Sequence, residues 1–153
     1  MRSRQQARKI DLRYLRKIIL AFLEELLCVS DFDVGVLIVA GKEMAIINER
    51  FLQHAGSTDV ITFNYRERAA KKSIHGDIYV CIEDALAQSK EFQTSWQGEL
   101  VRYIVHGVLH LLGYDDRTAG LRRTMKREEE RFLAELKARF PLRAIGTATS
   151  KHG

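Results

Sequence analysis

From Leu12 onward the apolar residues Leu15, Ile18, Ile19, Phe22, Leu23 and Leu26 return at three- and four-residue steps, the period of one helical face. The spacing predicts an amphipathic helix over residues 12–27. A β-branched run at 33–40, DVGVLIVA, lies between Ser30-Asp31 and Gly41-Lys42 and reads as a largely buried strand. A short helix follows over 43–52. Gly56-Ser57 breaks the pattern, after which 60–65 (VITFNY) and 74–81 (IHGDIYVC) read as two strands separated by a basic, polar loop at 66–73. The helical period then returns three times, over 82–92, 98–112 and 118–140. In the last helix Leu121, Met125, Phe132, Leu133, Leu136 and Phe140 form the buried stripe; Arg122, Arg123, Lys126, Arg127 and residues 128–131 form the solvated side. Pro141, the only proline, ends that helix.

The order helix, strand, helix, strand, strand, then three helices is neither a strict βαβ alternation nor a bundle. It predicts an α+β fold: a single domain over 1–140 in which one small mixed β-sheet packs with several α-helices. Residues 141–153 carry too little apolar material to be held down and are expected to form a mobile tail.

Composition narrows the function classes. With 153 residues, 46% of them hydrophobic, the chain suits one ordinary core. Its 25 Lys+Arg against 20 Asp+Glu leave a net charge of +5, a field that draws polyanions without naming one. The longest apolar run, 18–23, is far short of the roughly 20 residues of a membrane span. Glu24 and Glu25 interrupt the apolar stretch behind the basic N-terminal segment, which argues against an export signal. Cys28 and Cys81 have neither metal-site nor redox-motif spacing and read as reduced, buried thiols of a cytoplasmic protein.

The chemistry concentrates in VHGVLHLLGYDD, residues 105–116. His106 and His110 are one helical turn apart in an otherwise apolar segment, so their rings leave the same face with Cβ atoms roughly 5–6 Å apart, a separation that suits two ligands of one metal. Glu99, Arg102, His106 and His110 share one stripe, which must face a cleft because burying four ionisable groups unpaired costs several kcal/mol. Gly113 allows a left-handed turn that returns the chain toward the imidazoles. Asp116 is then the candidate third ligand; Asp115 is the adjacent alternative, and capping of the next helix is the competing role for either. The spacing His106-x3-His110-x2-Gly113-x2-Asp116 is that of the metzincin zinc motif, with a carboxylate where that motif carries its third histidine. Two nitrogens, one oxygen and an open fourth position describe a catalytic zinc site. Zinc proteases of this spacing place their Glu base directly after the first histidine, and this chain has Gly107 there. Glycine inside a helix costs about 1 kcal/mol relative to alanine, a hint that something packs against the helix backbone at this point.

The segment from His106 to Asp116 resembles the HGxLHLxGYDH signature of the YbeY family, the bacterial rRNA-maturation endoribonucleases. Upstream, Ile47-Asn48, then Thr58-Asp59-Val60-Ile61-Thr62-Phe63, then Gly76-Asp77-Ile78 are similar, in order, to that family's LN, TDVLSF and GDI segments, so the resemblance covers about residues 33–140. It implies a small α+β fold, one zinc ion per chain, a cytoplasmic location, and cleavage of single-stranded RNA in late ribosome maturation, especially at the 3′ end of small-subunit rRNA. The implied partners are single-stranded RNA and the small ribosomal subunit, with no membrane and no small-molecule cofactor. His106 and His110 match the first two ligands unchanged, whereas Asp116 stands where the family has histidine. A second departure is Leu52, where the family commonly has arginine; Arg50, Arg66 and Arg68 are the nearby basic residues.

For phosphodiester cleavage without a Glu at 107, the proton acceptors in view are Asp59, Asp77 and Asp115, or the RNA 2′-OH is itself the nucleophile. A turn-capping carboxylate beside a strand is the competing reading of Asp59 and Asp77. His54 and His75 read as loop or strand-edge residues. Trp96, Tyr103 and Tyr114 read as core aromatics, with base stacking the alternative. Two rival classes stand beside the nuclease: a non-catalytic ribosome-associated factor with structural zinc, and a metalloprotease.

Overall fold

The computed structural model describes residues 1–52, 59–65 and 73–148. Strands β1 (Arg2–Arg4) and β2 (Arg8–Ile10) precede helix α1 (Leu12–Ala21), which widens into a π-helical turn over Phe22–Leu26. Then come β3 (Asp31–Val39), α2 (Gly41–Ile47) with a π-helical turn at Asn48–Leu52, β4 (Val60–Asn64) and β5 (Ser73–Cys81). Helices α3 (Ile82–Glu91), α4 (Trp96–Leu111) and α5 (Ala119–Arg139), a 3-10 turn at Leu142–Ile145 and β6 (Gly146–Ala148) follow. The predicted mixed α+β architecture is present.

The main sheet has the order β1-β3-β5-β4, with β3 parallel to both β1 and β5 and β4 antiparallel to β5. Because side chains alternate across a strand, its two faces carry different residues. On one face Val36, Ile38, Ile74, Ile78 and Val80 join Leu15, Ile18 and Phe22 of the first helix and Leu100, Ile104 and Val108 of α4 in the main core. On the other, Val39, Ile61 and Cys81 pack with Met44 and Ile47 of α2 in a smaller cluster.

The sequence pattern missed three elements, β1, β2 and β6, each three residues long and too short to show a period. It also misplaced the start of the tail. Residues 141–148 are docked: Leu142 is 6% and Ile145 0% exposed, and β6 pairs antiparallel with β2, Ile10 opposite Gly146. Two apolar side chains and one short ladder suffice where composition alone pointed to a loose end. Residues 149–153 lie outside the described residues. Cys28 departs from expectation too, being exposed with a positive φ of 54° at the exit of the first helix, while Cys81 is buried as predicted.

Because Ile145 is fully buried, Ile145→Ala is expected to destabilise the protein by about 2–5 kcal/mol in denaturant unfolding. A loss within about 0.5 kcal/mol, as for an exposed position, would return residues 141–148 to the status of a tail.

Candidate metal centre

Helix α4 starts at Ser95, whose hydroxyl accepts a 3.0 Å hydrogen bond from Gly98 N–H, and its apolar sides lie against sheet and helices. Its backbone approaches β5 closely. A Cβ on Gly107 would stand 2.7 Å from Ile78 Cγ2, nearer than real side chains come. This is the close packing that a helix-interior glycine implied, and it leaves the neighbouring stripe, with His106 and His110, partly open to the outside. The two imidazoles meet edge to face at 4.7 Å between ring centroids.

The helix ends in a Schellman turn, with Tyr114 N–H donating to Leu109 O and Gly113 N–H to His110 O, both at 3.0 Å. Gly113 takes φ +107°, where a side chain would be strained. The reversed chain brings Asp116 back: its Oδ2 is 3.4 Å from His110 Nε2 and 3.9 Å from His106 Nε2. Neither aspartate caps α5, because Thr118 does so by accepting from Leu121 N–H. Among the described residues His106, His110 and Asp116 form a cluster whose ligand atoms all lie within 4.8 Å of one another. Donors on a tetrahedral zinc at about 2.1 Å are roughly 3.4 Å apart, so two imidazoles and a carboxylate at these separations fit that ion in chemistry and in spacing.

A residue that the sequence pattern assigned to the solvated side completes the arrangement. Glu129 is 5% exposed, and its Oε2 accepts from His106 Nδ1 at 3.0 Å, which leaves Nε2 free to face Asp116. Its Oε1 lies 3.3 Å from Arg102, which also holds Glu99 at 3.0 Å and Glu130. Burial opposes the charge on Arg102, but the hydrogen bond and field of Glu130, with Glu99 and Glu129, outweigh it and hold the guanidinium above its ordinary pKa. The signal was present in the sequence. Glu129 falls four residues after Met125 and three before Phe132, a carboxylate on the apolar stripe itself.

Of the three proton-acceptor candidates, one lines the same cavity as part of the cluster. Asp59 lines the open cavity, of about 1220 Å³, that His106 and Asp116 also line. Asp77 lies on the other face of the sheet: Gly76 and Ile78 on either side of it are the residues that meet α4, and Asp77 accepts from Tyr65 O–H at 3.0 Å. Asp115 is tied to Arg117, whose backbone and side chain donate at 2.9 and 2.6 Å, and these bonds hold its carboxyl below the usual range. Arg50 is exposed within the second π-helical turn; the side chain of Leu52 and residues His54, Arg66, Arg68 and His152 lie outside what is described. His75 sits on β5 beside Asp31 at 3.2 Å, away from the cluster. Tyr103 is 4% exposed, and Trp96 and Tyr114 pack partly buried against the core.

Fold and centre together define an α+β protein with a helix-borne His-His-Asp site. The family model described as "Endoribonuclease YbeY" matches residues 1–137. The chain is 35% identical to the Endoribonuclease YbeY of Parabacteroides distasonis over 68% of its own length and 71% of that protein's. It is 39% identical to the corresponding protein of Salinibacter ruber, over 57% of its own length and 59% of that protein's. The solution structure of TM1509 from Thermotoga maritima superimposes with a TM-score of 0.65 at 26% identity, covering 90% of this chain and 89% of that one. The chain belongs to the YbeY family.

Two outcomes follow. Glu129→Ala should weaken zinc binding about 10- to 100-fold in a competition titration with a chromogenic chelator, with Glu129→Gln retaining part of the affinity; unchanged affinity in both would show that the His106 contact does not orient the ligand. Gly107→Ala should lower the melting temperature even though alanine gains about 1 kcal/mol of helix propensity, because the added methyl meets Ile78. An unchanged or raised melting temperature would mean that helix and strand part freely.

Proposed function

We propose that the protein is a zinc-dependent endoribonuclease that cleaves single-stranded RNA in rRNA maturation, at the 3′ end of small-subunit rRNA. Family membership supports a metal-dependent endoribonuclease role in RNA processing. The observation that carries the reading is the convergence of His106, His110 and Asp116 on one point, with His106 and Asp116 in the wall of a cavity wide enough for a polymer segment.

His106, His110 and Asp116 would hold the ion, and Glu129, by accepting from Nδ1, keeps Nε2 of His106 as the coordinating nitrogen. When bound, zinc polarises a phosphoryl oxygen and lowers the pKa of water to about 7. Asp59, in the same cavity and outside the ligand cluster, is the carboxylate available to take the proton of the attacking group. Arg102 is committed to three carboxylates and serves the scaffold, not the substrate.

Both rivals meet specific obstacles. A protease of this motif needs a Glu after the first histidine, and the space a side chain at 107 would enter is filled by Ile78. A structural zinc needs four protein ligands, and among the described residues the cluster has three.

Zinc-loaded wild-type protein should cut a single-stranded RNA, and chelated protein and His106→Ala/His110→Ala protein purified in parallel should not, with activity restored by zinc to the wild type alone. Asp59→Asn should slow cleavage about 100-fold or more while binding zinc normally. A 2′,3′-cyclic phosphate end on the product would make the 2′-OH the nucleophile. Equal cleavage by wild type and double mutant, or none by either, would overturn the nuclease reading. Casein digestion that resists an RNase inhibitor but not a chelator would favour the protease.

A further inference from the structure

We infer that the RNA crosses the cavity with one base stacked on Phe92 and its backbone phosphates on Arg123 and Arg127 of α5. The inference rests on the nuclease reading for the kind of polymer bound, and on a different part of the cavity for its argument.

The cavity wall carries cations and carboxylates in equal number, but most are already paired. Arg102 holds Glu99, Glu129 and Glu130; Lys126 lies 3.2 Å from Glu130 and 3.9 Å from Glu129; Arg122 donates to Asp116 O at 3.2 Å. Arg123 and Arg127 line the same wall, one helical turn apart, and have no carboxylate partner among the described residues. With Arg122, whose bond is to a backbone carbonyl, they are the positive charges of the wall without a carboxylate partner among the described residues, and they are the two spaced along one face of α5.

In the lining of the same cavity, Phe92 follows the last residue of α3, and Gln93 with φ +54° turns the chain there. Phe92 is 61% exposed, whereas Phe22 and Phe132 are 0% and 5% exposed. An exposed aromatic ring and two unpaired guanidiniums lining one cavity are the combination by which single-stranded nucleic acids are bound without sequence readout, bases on rings and phosphates on cations. Tyr103, also on the cavity wall, is buried with a hydroxyl that has no hydrogen-bond partner among the described residues. The volume of about 1220 Å³ exceeds the roughly 300–1,000 Å³ of a small-molecule pocket, which fits a run of nucleotides better than a single one. A duplex offers no free base to Phe92, so the path selects unpaired strands.

The test is fluorescence anisotropy of a short labelled oligouridine with the full-length chain in chelator, over a range of salt concentrations. Arg123→Gln/Arg127→Gln should weaken binding and make the slope of log affinity against log salt shallower by about 1.4, the value for two lost phosphate contacts on a single strand. Phe92→Ala should weaken binding about 5- to 150-fold, Phe92→Trp should retain it, and a duplex of the same length should bind less tightly. Arg13→Gln/Arg16→Gln on the first helix is the charge control and should leave the slope unchanged. A wild-type slope in Arg123→Gln/Arg127→Gln, an equal loss in the control, or wild-type affinity in Phe92→Ala would overturn the path. Because binding is read without metal or turnover, a protein that binds by this path but never cuts would refute the nuclease reading alone. A protein that cuts with both cavity variants unaffected would refute the path alone.

Discussion

Everything at the centre depends on how closely α4 lies against β5. Gly107 removes the side chain that would hold the helix off Ile78, and Gly76 similarly leaves room for Leu111. With the helix backbone seated on the strand, its apolar sides are committed to the core, and the remaining stripe is the only one that can carry polar groups. The placement of two imidazoles on that stripe is therefore a packing result before it is a chemical one. The absent protease base has the same origin, since the position where it would stand is used for the helix–strand contact.

The second constraint is charge. Four ionisable side chains on α4 tolerate burial because each has a counterpart: from α5, Glu129 reaches both His106 and Arg102 and Glu130 reaches Arg102, while Arg102 holds Glu99 and Asp116 faces His110. Removing one member of such a buried group leaves another uncompensated, so the network joins the two helices and the histidine into a unit that is positioned together. Orientation of a ligand and docking of α5 are one energetic event in this protein.

The sequence was legible where the determinants are local. The histidine pair, the glycine turn and the return of Asp116 follow from helical spacing within eleven residues, and the eight longer elements follow from hydrophobic periodicity, β-branched runs and the breakers between them. Two kinds of information were missing. Three-residue strands such as β1, β2 and β6 owe their existence to their partners and carry no period of their own. The face on which a residue lies is also a property of the assembled sheet: Asp59 and Asp77 look alike as carboxylates beside strands, yet one reaches the cavity and the other lies beneath Tyr65. Glu129 falls between these cases, visible as a charge on an apolar stripe but interpretable only once α5 is known to cross α4.

The ribbon of β2 with β6 also sets the order in which the molecule can be completed. Residues 8–10 find their ladder only in residues 146–148, and Tyr14 bonds to Pro141 across 127 positions of sequence. A chain growing from its N-terminus therefore holds its second strand without this partner until residues 146–148 have emerged, and closure of the ribbon waits for them.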